Sequence, residues 1–169
     1  MKTVLALALL AAATLARADP WEAFFTPFLG DLRAELADAQ HAGLKGAVIM
    51  YEFEQCPYCA RMKSEGLSRP DVQRAYQRQF VALQIDTRGA LPITGFDGRT
   101  LPERDYARAA GVRATPTFDF VAADGTLLYR HVGGLYDPAE FVLLGHYVAS
   151  GAYRSRTFAD YKLSRPRGS

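Results

Sequence analysis

The chain has 169 residues, 49% of them hydrophobic, with 20 lysines and arginines against 18 acidic residues and a formal charge of +2. That length suffices for one ordinary domain with a sizeable core, and so balanced a charge excludes an electrostatically driven nucleic-acid binder. Nothing in the composition points to disorder or to a repeat.

The first predicted element is a leader. Lys2 supplies a positive start, Val4 to Leu15 is an apolar run, and Ala16-Arg17-Ala18 places small residues at the two cleavage positions, which together predict a secretory signal peptide over residues 1–18. A bilayer span needs about 20 apolar residues, so the run is too short for a membrane anchor. No cysteine follows it to accept a lipid. Cleavage takes Lys2 and Arg17 away, leaving 18 basic residues against 18 acidic ones in a mature chain that begins Asp19-Pro20-Trp21.

Residues 19–163 read as one domain. Trp21, Phe24, Phe25 and Phe28 form an aromatic cluster that covers the core, and a helix follows from about Asp31 to Gln40, with Leu32 and Leu36 on one face. "GAVIMYEF", Gly46 to Phe53, is a strand buried on both faces. "CARMKSEGL" predicts a helix ending at Gly66, with Pro57 in its first turn where a missing N–H does no harm. "SRPDVQRAYQRQF" is a short helix entered at Pro70, and "FVALQID" is the next strand. A small hairpin turning at Asp97-Gly98 leads into a helix near Pro102 and Glu103. "VRATPTFDF" enters a strand after Pro116, Asp124-Gly125 turns it into its partner, and Asp137-Pro138 opens the last helix of the fold. Tyr153, Phe158 and Tyr161 are expected to pack back on the domain, whereas residues 164–169 form a frayed basic tail.

The chemistry sits in "FEQCPYCARM". A cysteine pair three positions apart suits a metal clip, a structural staple or a redox couple. A bridge closing so short a loop removes little unfolded-chain entropy, so it staples poorly. Zinc wants about four ligands, and His41, His131 and His146 are scattered without partners at ligand spacing. Redox exchange remains. Cys56 falls where a strand gives way to a helix N-terminus, whose free N–H groups and dipole favour a thiolate. We assign Cys56, with an exposed sulfur, as nucleophile and Cys59, one turn further in and shielded, as the resolving thiol. Proline at the entrance to a central strand is ordinarily a liability. A cis Thr115-Pro116 bond explains it by turning the preceding backbone outward to pair with an extended peptide; the commoner trans bond would merely start the strand.

The order of these pieces carries a resemblance. A strand, Cys-Pro-Tyr-Cys opening a helix, "VRATPT", a hairpin, Gly133-Gly134 and a last helix resemble the thioredoxin-fold oxidoreductases over roughly Trp21 to Tyr147. "CPYC" alone is also similar to glutaredoxins, but the hairpin and the export signal set the chain apart from them. "FEQCPYC", the insert "LPITGFDGRTLPERDYARAAGVRATPT" and the ending "GGLYDPAEFVLLGHYVASGAYRSRTFADY" are most similar to exported thioredoxins of the SoxW/SoxS type. The resemblance implies an α/β thioredoxin fold: a central mixed sheet flanked by helices, with a hairpin and helix inserted before the proline. It implies a monomeric periplasmic thiol:disulfide oxidoreductase without cofactor or metal. Such a protein reduces cysteine-containing periplasmic proteins, here of a sulfur-oxidation pathway, and is recharged by a membrane electron carrier of the DsbD/CcdA type. Partners would lie along a groove made by Pro57, Tyr58, Thr115, Pro116, Gly133 and Gly134. One position departs from the pattern, because Met50 stands where thioredoxins bury an acid that takes the resolving thiol's proton. Glu52 and Glu54, on the same alternating face and nearer the cysteines, are the expected substitutes, directly or through water, and Lys63 is expected to be solvent-exposed. A DsbA-like oxidase or isomerase uses the same parts in reverse, and a peptide-binding module without catalysis would keep only the groove.

Overall fold

Every residue of β1 (Gly46–Glu52) is buried, as its unbroken apolar run requires of a strand at the centre of a sheet covered on both faces. In this computed structural model, which describes residues 18–164, β1 pairs in parallel with β2 (Phe80–Asp86) and antiparallel with β5 (Thr117–Ala122), and β5 pairs antiparallel with β6 (Leu127–Val132). The order β2-β1-β5-β6 gives the mixed four-stranded sheet of a thioredoxin fold. Residues 1–17 of the leader predicted over 1–18, and the last five residues of the basic tail, lie outside the described residues.

Helices cover the two faces. α1 (Leu32–His41) starts where Asp31 accepts hydrogen bonds from the Arg33 and Ala34 N–H groups, a cap worth about 1 kcal/mol, and it buries Leu32 and Leu36 against Ile49, Leu83 and Ile85. On the other face, α2 (Pro57–Arg61), α3 (Pro70–Gln77) and α5 (Pro138–Ala149) close over Val48, Met50, Phe118 and Phe120. Tyr76 of α3 stacks on Phe141 of α5 with ring centroids 4.6 Å apart, and its hydroxyl donates to the Phe141 carbonyl at 2.8 Å. Burial pushes that phenol's pKa well up. The N-terminal aromatics do cover the core: a 3-10 turn at Pro20–Phe24 buries Phe24 against Tyr76 and Phe141.

Three local expectations are refined. The helix after the cysteines does not stop at Gly66; α2 widens into a π-helical stretch over Met62–Leu67, which carries the chain one residue further. The insert forms the expected hairpin, β3 (Pro92–Thr94) with β4 (Thr100–Pro102), followed by α4 (Glu103–Ala109). The C-terminal segment forms α6 (Phe158–Leu163), whose Tyr161 is buried beside Tyr147.

Candidate active site

β1 ends at Glu52, and the chain turns so that the Cys56 N–H donates to the Phe53 carbonyl at 3.0 Å. Cys56 then caps α2 with an extended backbone, while Pro57 occupies the first helical position. The two cysteines form a disulfide with their Cα atoms 5.2 Å apart. Cys56 Sγ also accepts the Cys59 N–H at 3.1 Å, so a helix-terminal donor points at the sulfur that must carry negative charge in thiol exchange.

The second half of the site comes from the start of β5, which the antiparallel pairing sets beside the end of β1, Thr117 opposite Tyr51. Thr115-Pro116 is cis, and the Thr115 hydroxyl donates to Cys56 Sγ at 3.3 Å. The Pro116 carbonyl accepts the N–H of Gly133 at 2.8 Å, joining the start of β5 to the end of β6. Gly133 has φ 101°, a left-handed conformation that favours glycine. Gly134 has no room for a Cβ because the Tyr136 ring lies against it, and the Arg61 guanidinium covers that ring 4.0 Å from its centroid. Tyr58 stands 63% exposed over the helix mouth, and Val132 is exposed on the far side. Pro57, Tyr58 and Thr115 thus border the disulfide, and Gly133 joins them through the Pro116 carbonyl. Among the described residues, no backbone hydrogen bond engages Thr115, so its main chain is open to an incoming extended peptide.

Two expectations about the cysteines and acids are corrected. Cys56 is 2% exposed and not an exposed sulfur; bonded to Cys59, its sulfur turns into the site and the Thr115 hydroxyl lies against it. Glu54 does not share the buried face of Met50 and Glu52, because the strand ends at Glu52 and the alternation ends with it. Glu54 is exposed and accepts the Gln55 side-chain amide at 2.9 Å. Glu52 is 6% exposed. It meets Lys63 at 3.2 Å and the Gln84 amide at 2.5 Å.

Lys63 overturns the remaining expectation. Its side chain is 14% exposed and not solvated, with the ammonium on Glu52 and 4.2 Å from the Trp21 ring centroid. It follows Cys59 by four residues, so the helix brings both to the sheet-facing side. Met50 is buried among apolar neighbours, which leaves Glu52 as the buried carboxylate of this end of β1. His41 in α1 and His146 in α5 are exposed, and His131 in β6 is half-buried.

One buried pair had no counterpart in the expectations. Asp119 of β5, 3% exposed, accepts both Arg130 Nε and Nη2 at 2.6 Å, a two-pronged bond across the β5–β6 hairpin. Its signal was available: residues equidistant from the Asp124-Gly125 turn face each other, and 119 and 130 are such a pair.

A cavity of about 470 Å³ lies elsewhere, between Phe28, Leu29 and Leu91, and touches neither cysteine.

Residues 32–149 match the family described as thioredoxin-like domain. A thioredoxin-fold protein from Helicobacter pylori superposes with a TM-score of 0.64 at 15% identity, covering 85% of this chain and 88% of its own. A thioredoxin from Thermus thermophilus gives 0.55 at 28% identity, over 73% and 88%. A protein from Bacteroides thetaiotaomicron described as a putative disulphide-isomerase gives 0.56 at 22% identity, over 79% and 94%. No curated protein matches the chain by sequence.

Proposed function

We propose, from the premise that the chain belongs to the thioredoxin-like family, that it is an exported thiol:disulfide oxidoreductase that reduces disulfides in periplasmic partner proteins. The observation that carries the reading is the Cys56–Cys59 disulfide at a helix mouth, with the Thr115 hydroxyl on Cys56 Sγ and the cis Pro116 turn beside it.

In the reduced protein the Cys56 thiolate attacks a partner disulfide. A mixed disulfide forms and one partner thiolate leaves. Cys59 gives up its proton and attacks Cys56 Sγ, the second partner thiolate leaves, and two electrons have passed from the dithiol to the partner. Glu52 is the group we assign to receive the Cys59 proton, because it is the carboxylate buried on the cysteines' side of β1. The partner's backbone lies along Tyr58, Thr115-Pro116 and Gly133-Gly134 during exchange.

The leader over residues 1–18 supports export, and the resemblance to SoxW/SoxS-type thioredoxins supports partners in sulfur oxidation. Structural likeness extends to the C-terminal domain of DsbD from Neisseria meningitidis, with a TM-score of 0.50 at 20% identity. A membrane dithiol donor of the DsbD/CcdA type would return the two electrons.

Insulin reduction by dithiothreitol, with wild type, Cys56→Ser and Cys59→Ser, tests the activity. Acceleration by wild type and none by Cys56→Ser is expected. Equal rates in all three would remove the enzymatic reading and leave a peptide-binding module.

One observation favours the reverse direction. Two donors on Cys56 Sγ stabilise the thiolate and with it the reduced state, which makes a couple more oxidising. A potential above roughly −150 mV, measured by equilibration against glutathione, would assign a DsbA-like oxidase; one well below it assigns the reductase.

A further inference from the structure

Three backbone segments converge on the groove: β5, which begins right after Pro116; β6, which runs into Gly133; and the loop from the end of α4 to Thr115. One side chain ties all three. Arg130 lies in β6, three residues before Gly133, and its guanidinium grips Asp119, three residues past Pro116, through two 2.6 Å bonds. The same Nη2 donates to the Ala110 carbonyl at 2.9 Å, at the C-terminal cap of α4. A guanidinium is well placed there, against the negative end of the helix.

The loop from Gly111 to Pro116 is therefore fixed at both ends. Its start turns at Gly111, with φ 76°, and the Val112 N–H returns to the Ala107 carbonyl at 3.0 Å. Its end is closed by the Thr117 hydroxyl on the Ala114 carbonyl at 2.7 Å. Arg130 is the link between those ends, and the residue between them that matters is Thr115, whose hydroxyl meets Cys56 Sγ. Burial supports a dedicated role: the Asp119 side chain is 5% exposed in its ion pair, and burial first, then the nearby Asp119 charge, pushes the Tyr106 phenol up to about 12. A buried ion pair is seldom the most stable way to fill a core, but it does fix geometry.

We propose that Arg130, oriented by Asp119, is a positioning residue that sets the Thr115-Pro116 loop for engagement of a protein disulfide. This rests on the thiol-exchange reading above. Arg130 touches no reacting atom, so it acts most on reactions that use the groove and least on those that use the sulfur alone.

The test compares two substrates on the full protein: insulin, which needs the groove, and 5,5′-dithiobis(2-nitrobenzoic acid), a small disulfide that needs only the reduced Cys56. Arg130→Gln is expected to lower kcat/KM for insulin about tenfold, as a displaced positioning group does, with a clearly smaller change in the small-disulfide rate, which senses the loop only through the Thr115 hydroxyl on Cys56 Sγ. Arg130→Lys, which keeps the charge but not the fork, should fall between that variant and wild type. If Arg130→Gln does not fold, Asp119→Asn carries the same comparison with the Ala110 bond retained. Equal losses on both substrates, or a lowered melting temperature with both rates intact, would overturn the proposal in favour of a purely structural pair. A wild type that reacts with neither substrate would instead refute the oxidoreductase reading itself.

Discussion

Lys63→Met should be among the most damaging single changes away from the sulfurs. It removes the ammonium from a Glu52 side chain that is 7% exposed and leaves the carboxylate with the Gln84 amide. Stranding one member of a buried ion pair costs about 3–5 kcal/mol, and because Lys63 itself retains 14% exposure, so that some water reaches the pair, the expected loss is at the lower end, about 3 kcal/mol. Glu52→Met should cost less, about 1–2 kcal/mol, since a lysine stem can swing its head group to water while the stem stays packed on apolar surface. Replacing both residues by methionine should return stability to within about 1 kcal/mol of wild type. Urea titration of the oxidised proteins reads all four corners of the cycle, with Trp21, the single tryptophan, as an intrinsic probe beside the ion pair. A loss of about 3 kcal/mol in a domain of this size lowers the melting temperature by roughly 6–12 °C. Single-variant losses that add to the double within about 0.5 kcal/mol would show that the two charges are not coupled and refute the reasoning.

Thr115→Val removes the hydroxyl donated to Cys56 Sγ; a bond of about 1.5 kcal/mol to the thiolate corresponds to a potential lower by about 30 mV, read by glutathione equilibration, and an unchanged value would mean the hydroxyl does not act on the thiolate. Burial holds the His131 imidazole below its usual 6.5, with the charge of Glu140 opposing the shift. The unfolded chain therefore takes up that proton first as pH falls, so the stabilisation is whole above 6.5 and is lost as pH drops toward the folded value. His131→Gln should flatten that part of the stability–pH curve, and an unaltered slope would exclude His131 as its source. Gly46→Ala places a Cβ at φ 142° against the Val121 carbonyl, and chemical denaturation should show a loss of at least about 2 kcal/mol; wild-type stability would mean the backbone yields there freely.

The sequence was most informative where one local rule acted alone. The apolar run of β1, Pro57 at a first helical turn, the Asp124-Gly125 turn and the Asp137 cap each appear at the expected place, because period and capping are properties of adjacent residues. The sulfurs and the cis Thr115-Pro116 bond meet as the resemblance implied. Charge was harder to read. Lys63 looks like a surface residue in isolation, and only the packing of the helix on the end of β1, with Trp21 arriving from the N-terminal turn, turns it inward onto Glu52. Glu54 illustrates the limit of alternation, which lasts no longer than the strand that produces it. The π-helical stretch at Met62–Leu67 was not legible, since nothing in "MKSEGL" distinguishes it from an ordinary helical turn.

The most direct measurement is the mass of the covalent species formed when each reduced single-serine variant meets a disulfide-bonded peptide. Cys59→Ser should accumulate a stable adduct at residue 56, and Cys56→Ser should give none on the same timescale, because only the sulfur at the helix cap receives both the Cys59 N–H and the Thr115 hydroxyl. Adducts forming equally at the two positions, or at neither, would contradict the assignment of Cys56 as the attacking thiol.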